Sequence, residues 1–177
     1  MRYAMAIDTL KCVGCSGCVV ACQTENRVPI GYSRDWIREI MQGVYPNLNL
    51  EIRSERCNHC DNSPCVRSCP TGASHYEEGG IVKVTVSKCI GCSACIVSCP
   101  YDARYIHPDG YVDKCTFCDH RLKQGEKPAC VAACPTKCMY FGDMDNPDSE
   151  ISQILNSRRH KTLIPEAGTS PRVYFLY

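Results

Sequence analysis

The run Cys89-Ile90-Gly91-Cys92-Ser93-Ala94-Cys95-Ile96-Val97-Ser98-Cys99-Pro100 decides how this chain is read. Its spacing, C-x2-C-x2-C-x3-C followed by proline, is that of the bacterial loop that presents thiolates to a cubane iron–sulfur cluster. The same spacing recurs in a first group, Cys12, Cys15, Cys18 and Cys22. A second group, Cys57, Cys60, Cys65 and Cys69, stretches the middle gap to four residues. Cys89 to Cys99 form the third group, and the fourth, Cys115, Cys118, Cys130 and Cys134, stretches that gap to eleven. All four keep the opening C-x2-C and the closing C-x3-C, which marks an internal repeat.

The repeat extends past the cysteines. A basic residue precedes each group, at Lys11, Arg56, Lys88 and Lys114. A β-branched residue follows each third cysteine, at Val19, Val66, Ile96 and Val131, and a small one precedes each fourth, at Ala21, Ser68, Ser98 and Ala133. Pro70, Pro100 and Pro135 follow the fourth cysteine, whereas group one has Gln23. Tyr3–Asp8, Ile81–Val86 after Gly79-Gly80, and Tyr111–Val112 after Asp109-Gly110 read as short hairpin strands.

A cubane needs four thiolates at tetrahedral corners. Residues three apart in a tight loop can wrap one such cluster. Gly14, Gly17 and Gly91 are expected to allow positive φ and bring backbone N–H groups near the sulfides. Third and fourth cysteines are four apart, which on a helical turn puts them on one face. In two-cluster ferredoxins the fourth cysteine ligates the other cluster, so that turn links two cubanes. No group has lost a cysteine, so four [4Fe–4S] clusters are expected and no three-iron centre.

Composition agrees. Seventeen of 177 residues are cysteine, several times the usual share. Without them only about a third of the chain is apolar, thin for a hydrocarbon core of this length. Metals or disulfides fill core-poor domains. Eight disulfides are not expected of a chain whose Met1–Asp8 start lacks a signal-peptide h-region, a cleavage site and a twin-arginine motif. Export would then depend on a partner carrying its own signal. A zinc-stabilised interaction module remains the rival from another class, yet zinc ribbons do not need the trailing x3-C-P. The formal charge of +1 gives no reason to expect nucleic acid, and no run of roughly 18 apolar residues could span a bilayer.

The remaining residues have competing readings. Cys138 aligns with Ala73 and Ala103 in the repeat and reads as a small buried residue. His59 reads as a polar loop histidine. The four basic residues either offset cluster charge or are solvated. Asp119–Ala129, with Arg121, Lys123 and Lys127, reads as a short helix ending at Gly125 that docks a partner or is simply solvated. Leu48, Leu50 and Ile52 alternate with polar residues as a strand, paired with Trp36–Met41 across Gly43. Asp148 or Ser149 caps a helix with Ile151, Ile154 and Leu155 on one face. Arg158-Arg159-His160-Lys161 follows as a basic knot. The apolar tail Arg172–Tyr177 packs back or, the reading preferred here, buries against a second subunit.

End to end, the chain resembles the four-cluster ferredoxin-like subunits of molybdopterin oxidoreductases, above all those of polysulfide and thiosulfate reductases. The likeness is carried by Arg2–Asp8, Trp36-Ile37-Arg38, Tyr45-Pro46-Asn47, Cys69–Ser74, Asp113–Cys118 and Cys134-Pro135-Thr136. It implies an α+β fold of two intertwined ferredoxin-like modules. Residues 1–22 and 110–145 would form the outer module, and residues 57–109 the inner one. Residues 23–56 would be a cysteine-free β insertion, and residues 146–177 a helix and tail that dock a partner. The resemblance pairs groups one and four, and groups two and three. The implied ligand sets are Cys12, Cys15, Cys18 with Cys134; Cys115, Cys118, Cys130 with Cys22; Cys57, Cys60, Cys65 with Cys99; and Cys89, Cys92, Cys95 with Cys69. The implied function is electron transfer, without a catalytic residue of its own, between a molybdopterin-guanine-dinucleotide catalytic subunit and a polytopic, quinol-linked membrane subunit. The implied place is peripheral to the bacterial inner membrane, on its periplasmic face. Relatives in dimethyl sulfoxide reductase, nitrite reductase, formate dehydrogenase and hydrogenase complexes are the alternatives.

Overall fold

In a computed structural model covering residues 1–177, short strands and short helices alternate around the cysteine groups, an α+β arrangement. Strand β1, Tyr3–Asp8, leads into the first group. Helix α1, Gly17–Asn26, carries Cys18 and Cys22. The corresponding helices are single turns: α2 at Pro64–Arg67, α3 at Ala94–Val97 and, after the one-turn α4 at Asp119–Leu122, α5 at Ala129–Ala132. The difference follows from one residue. Proline disfavours helical backbone in the residue before it, so Pro70, Pro100 and Pro135 stop their helices near the fourth cysteine. Gln23 lets α1 run on to Asn26.

Helix α1 packs on α5, and α2 packs on α3. The small residue before the fourth cysteine permits the second of these contacts, and Ser68 Oγ lies 2.9 Å from Ser98 Oγ. Two hairpins accompany the α2/α3 pair: β4 (Ser74–Tyr76) with β5 (Val82–Val84), and β6 (Tyr105–Ile106) with β7 (Val112–Asp113). These are the strands expected after Gly79-Gly80 and Asp109-Gly110.

The cysteine-free stretch forms a long hairpin, β2 (Asp35–Val44) with β3 (Asn47–Arg56). Its turn is Tyr45-Pro46, not Gly43, because Val44 pairs with Asn47 and Gly43 with Leu48. The expected alternation is present, but Leu48 and Leu50 face solvent, as do Met41, Val44 and Tyr45.

β8 (Met139–Asp143), α6 (Glu150–Ser157), β9 (His160–Lys161) and β10 (Val173–Leu176) close the molecule. The strand order is β8-β1-β10-β9, with β1 antiparallel to β8 and parallel to β10. Ser149 caps α6 by accepting from Ser152 N, and Ile151 is fully buried. The tail corrects the expectation that it buries against a second subunit. Val173, Phe175 and Leu176 are fully buried inside this chain, in the middle of the sheet. A four-stranded sheet without β10 would lose its central partner, so burial of these apolar side chains holds the tail in place. The basic knot is tied down too: Arg158 bonds Asp8 and Lys161 pairs with Glu51.

Candidate metal centres

All seventeen cysteines are free of disulfides. Cys22, Cys115, Cys118 and Cys130 line one cavity, together with Asn26, Arg34, Asp35 and Arg56. Cys69, Cys89, Cys92 and Cys95 line another, under Ala73 and Val112. Each combines three cysteines of one group with the fourth of a different group. Cys57, Cys60, Cys65 and Cys99 also lie close together, since the Cys60 thiol feels the charges of the other three. In the remaining set, the Sγ of Cys15 and the ring of Pro135 both come within 4.0 Å of where a Cβ on Gly17 would stand. Cys138, buried beside them, reaches Cys134 Sγ at 3.4 Å. No three His, Cys, Asp or Glu side chains converge tightly enough to hold a single ion. A tetrahedral zinc site draws its sulfurs to about 2.3 Å from one point, whereas a cubane spreads them around a core.

Burial differs sharply between sets. Cys22, Cys115, Cys118 and Cys130 are all buried, as are Cys57, Cys60 and Cys65. Cys15 and Cys92 are exposed. The loops holding these two depend on Gly14 and Gly91, at φ +67° and +66°. Gly17, expected to share that conformation, instead opens α1, and Ser16 takes the left-handed turn at φ +59°.

Burial pushes the thiols toward the protonated form. It lifts Cys60 and Cys115 up to about 12 and Cys130 up to about 11, with the Arg56 guanidinium pulling the other way. Thiolate ligation therefore needs compensating positive charge, from iron and from the protein. The protein's share is specific. Arg56 Nη1 donates to Cys130 Sγ at 2.9 Å, and Arg104 Nη2 donates to Cys65 Sγ at 2.9 Å. Lys114, also buried, donates to the carbonyls of Val82 and Cys115. Backbone N–H groups add weaker contacts, from Ser74 to Cys69 at 3.3 Å, Val112 to Cys89 at 3.4 Å and Phe117 to Cys115 at 3.4 Å.

The fourfold run of basic residues thus splits. Arg56 and Lys114 are buried among thiols, whereas Lys11 and Lys88 are exposed. Arg121 is held by Glu25 and Glu126, leaving Lys123 and Lys127 exposed on that segment. His59 is not a surface loop residue. It is fully buried, stacked on Phe117 with ring centroids 3.7 Å apart, and its Nδ1 accepts from Val82 N. Burial and the surrounding cations hold it well below the usual histidine range, hence neutral. Cys138 is buried, as the repeat alignment expects.

Arg104 is a site residue that the cysteine spacing does not point to. It lies outside the cysteine runs, four residues after Pro100. The repeat does carry a signal, since the equivalent positions hold the uncharged Ser74 and Met139. Arg56 Nε and the Nε and Nη1 of Arg104 are buried with no acceptor among the protein's atoms. Buried donors of this kind call for acceptors, and cluster sulfides beside these cysteines would supply them. The residues present therefore fit four cubanes.

Known proteins agree. Models of a 4Fe–4S dicluster domain match residues 48–144 and residues 11–73. Two such domains account for four [4Fe–4S] clusters. The chain is 45% identical to protein NrfC of Escherichia coli (strain K12), over 98% of this chain and 80% of that protein. It is 44% identical to a tetrathionate reductase subunit of Salmonella typhimurium, over 99% of this chain and 72% of that one. It is 42% identical to a polysulfide reductase chain of Wolinella succinogenes, over 99% and 94%. The chain belongs to the 4Fe–4S dicluster family of iron–sulfur proteins.

Proposed function

We propose that this chain is the electron-transfer subunit of a reductase complex, with its cysteines in the swapped sets that the cavities suggest. The observation that carries this reading is the composition of the cavities, each lined by three cysteines of one group and the fourth of another. Cys12, Cys15, Cys18 and Cys134 hold one cluster, and Cys115, Cys118, Cys130 and Cys22 the next. Cys57, Cys60, Cys65 and Cys99 hold the third, and Cys89, Cys92, Cys95 and Cys69 the fourth. Residues 1–22 and 110–145 thereby act as the outer ferredoxin-like module and residues 57–109 as the inner one. The 35–56 hairpin belongs to an insertion between them. Bound at these sites, the clusters supply one-electron chemistry at potentials tuned by charge, hydrogen bonds to sulfur and solvent access.

The burial of the cysteines supports an order of the sites as a wire. Sets with every or nearly every cysteine buried suit interior positions, and the sets containing exposed Cys15 and Cys92 suit its ends. Apolar side chains surround both ends in sequence: Leu10, Val13 and Val20 near Cys15, and Val86, Ile90 and Val97 near Cys92. Such exposed apolar groups favour docking of partners over the terminal sites.

One partner is a molybdopterin-guanine-dinucleotide catalytic subunit that reduces a sulfur compound, and the other a polytopic membrane subunit oxidising quinol. No helix of this chain is long and apolar enough to cross a membrane, which fits peripheral attachment through such a partner; the face proposed is the periplasmic one. Names among the relatives support a reductase, including tetrathionate, polysulfide and arsenate respiratory reductase subunits. Serine at Cys99 or Cys69 in the intact complex tests the wire. Turnover with quinol should collapse while the catalytic subunit, given an artificial donor, stays active; unchanged quinol turnover would refute it.

A further inference from the structure

Arg56 directly precedes the second cysteine group, and Arg104 stands where the repeat elsewhere has Ser74 and Met139, yet the two make matching contacts to thiols. Arg104 is 4% exposed and has no carboxylate partner. A guanidinium stays protonated in proteins, and a buried charge needs a counter-charge. The anionic groups on offer are cysteine thiolates. One arm of the fork donates to Cys65 Sγ and to Ser74 Oγ, each at 2.9 Å, and Ser74 N in turn donates to Cys69 Sγ at 3.3 Å. Cys65 and Cys69 belong to two different clusters in the ligand sets proposed above.

Arg56 repeats the arrangement in the other module. It donates to Cys130 Sγ at 2.9 Å and to Ser54 Oγ, and Ser54 Oγ lies 3.4 Å from Cys18 Sγ. Cys130 and Cys18 again belong to different clusters. So beside each pair of clusters stands one buried arginine, Arg56 reaching its pair from the inserted hairpin, that bonds directly to one cluster's ligand and, through one serine, to the neighbouring cluster's ligand. Beyond the serine atom that makes the second link, the two differ in counter-charge. Asp35, also buried, stands 3.7 Å from Arg56 and offsets part of its charge.

We propose that Arg104 and Arg56 are positioning cations set between the two clusters of each module, each raising the potentials of both its neighbours together. A cation favours the reduced, more negative state of any cluster near it. One placed between two sites favours reduction of both, so it lifts the pair as a unit and leaves the step between them unchanged. Asp35 weakens this at Arg56, so the two modules are held at different levels. The inference rests on the swapped ligand sets.

The test is an EPR-monitored redox titration of the anaerobically purified complex, with iron counted in each preparation. Arg104→Gln should lower the potentials of two centres and leave the other two in place. The expected size is a tenfold fall in the reduction equilibrium constant, about 59 mV for a one-electron couple. Arg104→Lys should recover part of the shift. Asp35→Asn should raise the potentials of two centres, and these must be the two that Arg104→Gln does not touch. Should Arg104→Gln lose iron, Arg104→Lys serves in its place, with a smaller fall in two centres that Asp35→Asn must not move. Unmoved potentials at full iron, a shift of all four centres alike or of one alone, or overlap between the two pairs would overturn the inference. Native complex lacking four centres on this chain would instead overturn the cluster reading beneath it.

Discussion

Cys15 and Cys92 hold equivalent places in two matching C-x2-C-x2-C-x3-C runs, and they are the two cysteines the fold leaves exposed. Val13 and Ile90, the residues inside the same loops, are exposed as well. Two such loops fit a subunit placed between two partners. Val13→Glu should therefore release one partner during purification and Ile90→Glu the other, each variant keeping its full iron content. Co-purification of both partners with both variants would show that these loops are not docking sites.

The loops also carry a backbone constraint. At Gly91, φ is +66° and an added Cβ would stand 2.4 Å from the carbonyl oxygen of Gly110. Backbone cannot yield as a flexible side chain can. Gly91→Ala should cost roughly 2 kcal/mol or more, from left-handed strain plus the clash. Gly72, at φ +64°, has nothing within 4 Å of the same position, so Gly72→Ala should cost only about 1 kcal/mol. Thermal denaturation of the two variants under anaerobic conditions compares them, and equal losses would contradict the steric account.

The four cysteine groups and the turns that carry them were legible in the sequence because each group is local and proline marks where its turn ends. The length of α1 was implicit in Gln23 for the same reason. What the sequence did not reveal depends on distant packing. Strand β10 lies in parallel register with β1, Met5 beside Val173 and Ile7 beside Phe175, and nothing local to Arg172–Tyr177 announces a partner at the other end of the chain. His59 reads as a loop residue until Phe117 is placed against it. The four basic residues look alike in the repeat, yet the β2–β3 hairpin buries Arg56 and its loop leaves Lys11 in water.

The tail's place in the sheet has a measurable consequence. Phe175 is fully buried on the central strand. Phe175→Ala should destabilise the chain by about 3–5 kcal/mol, the usual cost of a large cavity in a core. A loss under 1 kcal/mol in the chain's own denaturation, with weakened binding of a partner, would return the tail to an intersubunit role.

Asp8 and Arg158 make a pH-dependent clasp between β1 and the end of α6. Burial acts to raise the Asp8 carboxyl, but the Arg158 hydrogen bonds and charge outweigh it and hold the group below the usual range. A depressed carboxyl stabilises the fold fully above its unfolded value of about 3.9 and loses that contribution as pH falls through the folded value. Arg158→Ala should cost about 1–3 kcal/mol at neutral pH. Urea denaturation should find that gap constant from about pH 8 to 5 and narrowing only below about pH 4. A gap that already closes by about pH 6 would assign the stabilisation to another group.

Iron and acid-labile sulfide per copy of this chain, measured on the natively isolated complex, test the central claim most directly. Four cubanes require about sixteen iron atoms and as many sulfides on this subunit, beyond any held by its partners. Zinc in place of iron, or iron for two clusters with the remaining cysteines unligated, would contradict a four-cluster wire.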